Sequence, residues 1–425
     1  MSGECLLVSV GGSVDPVVHV LREVAPARVV FAVSRESEAV LPEIKRRTSE
    51  IGYLEETVVL PDPEDLVGCL AELDAGLRRV ARRWPEVATG DLVVDFTGGT
   101  KVMSVALALA VIDRPGRFSY VGGGRRAGGG LGTVEPGSER RLERPNPWDV
   151  LALQLRPRIA EAFARGHFGE ARALAERAAA RVSAGRRRLY EVLARLCGAY
   201  SDWSAFEFRK ALQGLRRVCS DLGLVASAAE DAGFEALAAR LEEERGRLER
   251  IERAHARLAA GGEAPDPEDA RVLLVDLVAA GERLASLSGR HDQAVAVLYS
   301  ALEKAAKLAL RIGHGIETSR AAPGQVPDPL RGEFVARYAV PDRGELRIPL
   351  FAAFRLLEAL GDPLGRRFAE RRDELRSLLD VRNEAFIAHG WKPVRPETFE
   401  KLLELALAFL ELDRSDLPGL PELPA

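Results

Sequence analysis

The chain is short of soft and amide side chains. Its 425 residues include two methionines, Met1 and Met103, and two asparagines, Asn146 and Asn383. Of its 60 basic residues only Lys45, Lys101, Lys210, Lys304, Lys307, Lys392 and Lys401 are lysine. Few amide and sulfur side chains among many ion-pairing ones fit a protein built for heat, and a GC-rich genome gives the same bias. The four cysteines, Cys5, Cys69, Cys197 and Cys219, have neither C-x-x-C spacing nor a nearby histidine cluster. That excludes a zinc ribbon or a disulfide scaffold and leaves the thiols as small core residues. No run reaches the ~18 uninterrupted apolar residues of a membrane span. Only Glu4, with no Lys or Arg, precedes the first short apolar run, unlike a signal peptide, so the expected location is the cytoplasm. A net charge of −4 gives no global pull on a polyanion, so any phosphate-bearing ligand must meet a local patch.

What is present is globular: 47% hydrophobic and 29% charged residues, enough chain for two or three domains. In residues 1–145 the runs CLLVSV (5–10), RVVFAVS (28–34), TVVL (57–60), DLVVDF (91–96) and RFSYV (117–121) read as strands. They are almost continuously apolar, as burial on both sheet faces demands. Helical spacing occupies 16–24, 36–51, 64–84 and 100–112. This rhythm predicts an open, mostly parallel α/β sheet covered by helices on both faces. The loop GGGRRAGGG (122–130) and a strand GTVEP close the domain.

In such sheets ligands bind beyond the carboxyl ends of the strands, where the strand order reverses. SVGGSVDP places Gly11, Gly12 and Ser13 between the first strand and a helix opening at Pro16. DFTGGTKVMS places Thr97, Gly98, Gly99, Thr100 and Lys101 between the fourth strand and its helix. Glycine lets a polar ligand approach the backbone, a helix start offers N–H groups to an anion, and Lys101 adds a point charge. The spacing is that of neither a Walker A loop nor a dinucleotide fingerprint. Each loop alone also reads as a tight turn with threonine as helix cap. Two at one sheet edge favour a phosphate-bearing ligand.

SVGGSVDPVV followed by DFTGGTKVMSVALALA resembles the CARF domain, the sensor of CRISPR-associated ancillary proteins. The resemblance implies a Rossmann-like sheet and a homodimer that binds one cyclic oligoadenylate across its two-fold axis. It carries the ligand role onto Gly11, Gly12, Ser13, Thr97, Gly98, Gly99, Thr100 and Lys101. Ser34, ending the second strand, and Arg125 with Arg126 in the glycine-rich loop are further candidates.

PNPW (145–148) punctuates a boundary, and residues 149–262 read as an all-helical connector. ARGHFGEARALAERAAARV resembles one unit of a helical-hairpin repeat, with no second copy at a fixed period. Trp203, Phe206 and Phe208 read as core anchors rather than a base-stacking platform. Glu and Arg at i,i+4 over 232–260 predict a solvated face. Residues 267–415 read as a bundle of five helices, 267–288, 290–312, 349–360, 363–389 and 397–414, followed by a tail, 416–425. The stretch 313–346, rich in Gly, Pro and charge, reads as a long loop.

LLDVRNEAFIAHGWKPVRP carries the chemistry. Arg382 and His389 are seven apart, two helical turns, which predicts one shared face. Gly390 reads as the helix C-terminal cap, which puts His389 in the last turn, where the macrodipole favours imidazolium. An arginine can hold a phosphate bidentately and stabilise its growing charge, and a histidine moves protons at neutral pH. Metal-independent RNA cleavage requires both, although such a pair also occurs on ordinary helix surfaces. R-N-x-x-x-x-x-H-G resembles the HEPN ribonuclease motif R-x(4–6)-H, and the order sensor, connector, motif resembles the CARF–HEPN ancillary nucleases of type III CRISPR systems.

That resemblance implies an endoribonuclease of antiviral defence that cleaves single-stranded RNA when cyclic oligoadenylate binds as allosteric activator. Two motifs face each other across the dimer axis, and the RNA 2′-OH attacks the adjacent phosphate to leave a 2′,3′-cyclic phosphate. His389 assists proton transfer, Arg382 stabilises the phosphate and Asn383 orients one of them. No metal, other cofactor or membrane is implied. His291, Tyr299 and Glu303 read as packing residues near the cleft. Two other readings stay open. One is a ring nuclease that cleaves its own cyclic oligoadenylate, with Thr97 or Ser13 positioning the ring's 2′-OH and a weak HEPN site. The other is a non-catalytic, ligand-dependent regulator, against which no winged-helix or helix-turn-helix signature follows the sensor.

Overall fold

Every residue of Cys5–Val10 (β1) is buried, as befits a central strand. The computed structural model describes residues 4–85, 92–112, 116–123, 139–144, 147–229, 232–261, 263–385 and 390–424. After β1 come α1 (Asp15–Val24), β2 (Arg28–Ser34), a 3-10 turn (Ser37–Val40), α2 (Leu41–Arg47), β3 (Leu54–Leu60) and α3 (Leu66–Arg83). Then follow β4 (Leu92–Asp95), α4 (Lys101–Val111), β5 (Gly116–Gly123) and β6 (Glu139–Arg144). The strand order is β3-β2-β1-β4-β5-β6, with the first five parallel and β6 antiparallel to β5. Strand alternation sends Cys5 and Leu7 into one core with α3 and α4, and Leu6, Val8 and Val10 into another with α1 and α2. The predicted doubly covered sheet is therefore present. The closing strand is the polar ERRLER of β6, whose edge position needs no apolar pattern. The expected strand GTVEP, and Arg125 with Arg126, lie outside the described residues.

The chain divides into two compact units, residues 1–157 with 174–191 and residues 158–173 with 192–425. In the first, the Trp148 indole donates to the Ile112 carbonyl, while the Arg181 guanidinium lies over its ring at 5.2 Å.

Five helices follow the sheet: α5 (Trp148–Ala164), α6 (Phe168–Ala179), α7 (Ala184–Ser204), α8 (Phe208–Ala229) and α9 (Ala232–Ala260). The turn after α5 recurs after α7. Gly166 takes φ 72° and Phe206 φ 62°. The N–H groups of Gly166 and Phe206 bond Phe163 and Trp203 carbonyls, and those of His167 and Glu207 bond Ala162 and Asp202, all at 2.9 Å. A second copy of the hairpin unit thus exists, contrary to the sequence reading. It is masked because a phenylalanine holds the left-handed position that glycine holds in the first copy, a placement that costs about 1–2 kcal/mol. Trp203 and Phe208 are buried anchors as expected, but Phe206 is one-third exposed and is not.

In the second unit, Trp203 donates its indole N–H to buried Asp276 at 3.0 Å and lies under Arg247, which pairs with buried Glu244. The face of α9 is knitted as well as solvated: Glu249 accepts from Arg216 and Arg245, and Asp269 from Arg250 and Arg253. Burial pushes the Cys197 thiol up to about 12 and Cys219 up to about 11, so neither serves as a thiolate at neutral pH.

The remaining bundle opens with α10 (Pro267–Ser288), capped by Asp266, whose side chain accepts from the Glu268 and Asp269 N–H groups. It continues through α11 (His291–His314), which ends at left-handed Gly315. The stretch 313–346 is not a long loop. It contains α12 (Asp328–Tyr338) and a short hairpin, β7 (Ala339–Val340) with β8 (Glu345–Leu346). Phe334 anchors α12 in the core, and Glu333 takes two bonds from Arg355, at 2.7 and 2.9 Å, on α13 (Leu350–Ala359). Gly332 within α12 and Pro327 and Pro329 around its start hid the helical pattern. The expected helix 363–389 is two, α14 (Pro363–Glu370) and α15 (Arg372–Asn383), and α16 (Pro396–Leu410) follows. The last residues pack back onto α10, with Arg283 donating to the Pro418 carbonyl at 3.1 Å. No helix among the described residues is long and apolar enough to cross a membrane.

Candidate functional site

The chain adds strands outward from β1 to β3, then returns to the other side of β1 with β4. The switch point therefore lies between β1 and β4, and the two predicted glycine-rich loops leave their carboxyl ends side by side. Their contact is backbone on backbone. A Cβ on Gly11 would lie 2.6 Å from the Gly99 nitrogen, and one on Gly98 would lie 2.4 Å from the Ser9 carbonyl oxygen. Gly99 also takes φ 81°, which only glycine adopts without strain. Gly12 has open space around it, and both Gly12 and Ser13 are exposed.

Three residues brace this crossing and carried no role in the sequence reading: Ser9, Asp95 and Ser119. The Ser9 hydroxyl donates to the Gly98 carbonyl at 2.7 Å. Fully buried Asp95 accepts from the Thr97 N–H at 3.0 Å and from the Ser119 hydroxyl. Burial holds the Asp95 carboxyl above its usual range, while the bonds from Ser119 and Thr97 pull it down. The one sequence signal was an aspartate two residues before the loop, the spacing of an Asx turn.

The predicted ligand residues divide by what their side chains already do. The Thr97 hydroxyl accepts from the Val121 N–H at 2.7 Å, and its side chain also bonds the Asp95 carboxylate, so it is committed. Thr100 caps α4, accepting from the Met103 N–H at 3.1 Å and donating to the Pro63 carbonyl, so its hydroxyl is committed. Ser34 is buried at the same sheet edge, where it and Ser37 bond each other's backbone N–H groups. Lys101 is exposed and has no ion pair among the described residues. The surface these residues leave to a ligand is thus backbone N–H groups, the exposed Ser13 hydroxyl and the Lys101 ammonium.

At the second site the structure corrects the expected helix. Arg382 lies in the last turn of α15, which ends at Asn383, so no continuous helical face carries both Arg382 and position 389. His389 lies outside the described residues. The chain on either side of the motif is nevertheless clipped together. Ala385 and Lys392 form a parallel bridge, the Gly390 N–H bonds the Ala385 carbonyl at 3.2 Å, and the Lys392 N–H bonds the Glu384 carbonyl at 3.2 Å. A Cβ on Gly390 would lie 1.8 Å from the Glu384 oxygen, so close approach demands this glycine. The Lys392 ammonium pairs with Glu384 at 2.8 Å and holds that carboxyl below its usual range. Asn383 is exposed. Of the residues read as packing near the cleft, His291 stands 6.0 Å from the Phe399 ring, Tyr299 packs on the core and Glu303 pairs with Lys307. Among the described residues no group of three His, Cys, Asp or Glu side chains is placed to hold a metal ion.

The model of the Csm6 HEPN domain matches residues 265–413 and that of the Csm6 6H domain matches 151–246, together more than half of the chain. The fold is similar to that of Enterococcus italicus Csm6 bound to cyclic hexa-2′-fluoro-hexa-dAMP, with TM-score 0.59 and 12% identity over 98% of this chain and 96% of that one. Can2 from Sulfobacillus thermosulfidooxidans, in complex with cyclic tetra-adenylate, shares less: TM-score 0.25 and 13% identity over 45% and 58% of the two chains. No curated protein matches. A switch-point sheet followed by a HEPN bundle defines a sensor-coupled endoribonuclease. The chain belongs to the CARF–HEPN ancillary ribonucleases of CRISPR systems, the family of Csm6.

Proposed function

We propose that cyclic oligoadenylate switches on this endoribonuclease in type III CRISPR defence, and that it works as a cytoplasmic homodimer on single-stranded RNA. The observation that carries this reading is the backbone contact of Gly11 with Gly98–Gly99 at the switch point, beside the free ammonium of Lys101. Residues 1–145 are the sensor, 149–262 the connector, 267–415 the nuclease and 416–425 the tail. The ring's phosphates lie against the backbone of Gly11, Gly12, Ser13 and Thr97 to Thr100, with Lys101 supplying charge. Val105 and Leu109 on α4 are 49% and 47% exposed, and Val67 opening α3 is 76% exposed. Exposed apolar side chains on these two sensor helices favour a second copy packing on the sensor. A ring on the two-fold axis then touches both sensors, and it shifts the dimer only by binding one arrangement more tightly.

In the nuclease the 2′-OH attacks the adjacent phosphorus and the P–O5′ bond breaks, leaving a 2′,3′-cyclic phosphate and a 5′-hydroxyl. His389 moves the proton, Arg382 stabilises the charge on the pentacoordinate phosphate and Asn383 orients one of them. Histidine and arginine cover both needs, so neither step calls for a metal. Cleavage of a labelled RNA in EDTA should therefore continue at the rate seen without chelator, with cyclic phosphate ends on the product. Loss of activity that a divalent ion restores would overturn the metal-free mechanism.

Lys101→Ala removes a free charge beside the two loops. The activator concentration for half-maximal cleavage should rise roughly 10- to 100-fold, the scale of a charged hydrogen bond, with the rate at saturation retained. A titration of cyclic tetra- and hexa-adenylate against cleavage rate measures it, and an unmoved midpoint removes Lys101 from the site. Chromatography of labelled cyclic tetra- and hexa-adenylate after incubation tests for ring cleavage in the sensor separately from RNA cleavage.

A further inference from the structure

We propose that Trp391 is a stacking platform for a base of the RNA, a substrate-positioning residue beside the scissile phosphate; this rests on the reading of Arg382 and His389 as the cleavage site. Trp391 is 86% exposed, whereas Trp84, Trp148 and Trp203 are 5%, 7% and 5% exposed. Indole is among the most buried of side chains, and one almost wholly in water is unusual. Its exposure does not come from a detached segment. On one side the Gly390 and Lys392 N–H groups bond Ala385 and Glu384. On the other, the Val394 N–H bonds the Asp292 carboxylate at 3.2 Å and the Val394 side chain is buried. The backbone is pinned before and after the ring, so the fold presents the indole outward from a fixed base.

The position is chemically specific. Trp391 follows Gly390, whose backbone is held against Glu384, two residues after Arg382 in the chain. Arg395 is exposed nearby in sequence with no ion pair among the described residues, while Lys392 is paired with Glu384. A flat aromatic with a free cation close in the chain is what single-stranded nucleic acid needs, because every base has a π-face and every linkage a negative phosphate. Stacking tolerates any base, so Trp391 would fix where the backbone lies without dictating sequence. The same exposed ring would also suit contact with a second copy of the chain. The adjoining free cation, Arg395, favours RNA.

The test uses the full-length protein, a labelled single-stranded RNA and cyclic tetra- or hexa-adenylate at saturation. Trp391→Ala should raise KM roughly 5- to 150-fold, the range measured for removal of one base–aromatic stack, with a smaller fall in kcat. Trp391→Phe should recover most of it. Indole emission should be quenched by a 2′-O-methyl RNA that cannot be cleaved, and the quench should vanish in Trp391→Phe, which keeps the three buried tryptophans. An unchanged KM in Trp391→Ala, while the wild type cleaves, overturns the platform and leaves the nuclease reading intact. If the wild type cleaves no RNA, the nuclease reading fails and the quench alone decides: present, the platform stands; absent, it falls. A drop in assembly mass for Trp391→Ala without any quench in the wild type assigns the ring to the contact between copies and overturns the proposal.

Discussion

Arg382→Ala and His389→Ala should each remove most RNA cleavage, on the order of 10²–10⁴ in rate, while binding of the cyclic activator and the mass of the assembly should stay as in the wild type. The reason is division of labour. Only a group that titrates near neutrality can both accept and release the proton at the rate of turnover, and only a fixed cation meets the charge that grows on the phosphate oxygens. Neither role passes to a neighbour, since Lys392 is tied to Glu384 and Asn383 carries no charge. Single-turnover rates for the two variants, with calorimetry for the activator, separate a lost catalytic group from a misfolded bundle. Wild-type rates in both would remove the motif from the chemistry.

Gly98→Ala strikes the other end of the switch. The added methyl would lie 2.4 Å from the Ser9 carbonyl oxygen and 2.9 Å from the Gly11 nitrogen, both backbone, so no side chain can turn aside. The loops must part, at a cost of about 1–3 kcal/mol, which corresponds to a 5- to 150-fold loss in activator affinity if it falls on the bound arrangement. Gly12→Ala has open space and should leave the melting temperature unmoved. Comparing melting and ring binding for the two alanines tests the crossing. Equal behaviour would show that the contact of Gly11 with Gly98 and Gly99 is dispensable.

The sheet was legible because its strands are doubly buried and therefore almost continuously apolar, and the loops because glycine and threonine punctuate them. Ser9, Asp95 and Ser119 were not legible as a set. They meet only through the strand register, which places Val8 opposite Asp95 and Asp95 opposite Ser119. The edge strand β6 carries no apolar pattern, and α12 is interrupted by Gly332. At the nuclease motif, seven-residue spacing suggested one helix. The structure instead stops α15 at Asn383 and brings Glu384 against Gly390, a contact between backbones that spacing alone does not encode. The hairpin repeat escaped notice for the opposite reason: its geometry is kept while the residue at its left-handed turn is not.

Heat and salt act on the middle helices in opposite directions. An isolated exposed ion pair contributes about 0–1 kcal/mol at 25 °C. Along the α9 face, however, Glu249 of α9 and Asp269 of α10 each serve two arginines and join α8, α9 and the start of α10 into one network. The penalty for taking charges from water falls as temperature rises, while the gain from apolar burial levels off. The network's share of the cohesion among these helices therefore grows on warming. Added salt screens exposed charges within about 10 Å and takes that share away. These three helices consequently hold together best in hot, dilute solution and come closest to relying on their apolar contacts alone in strong brine.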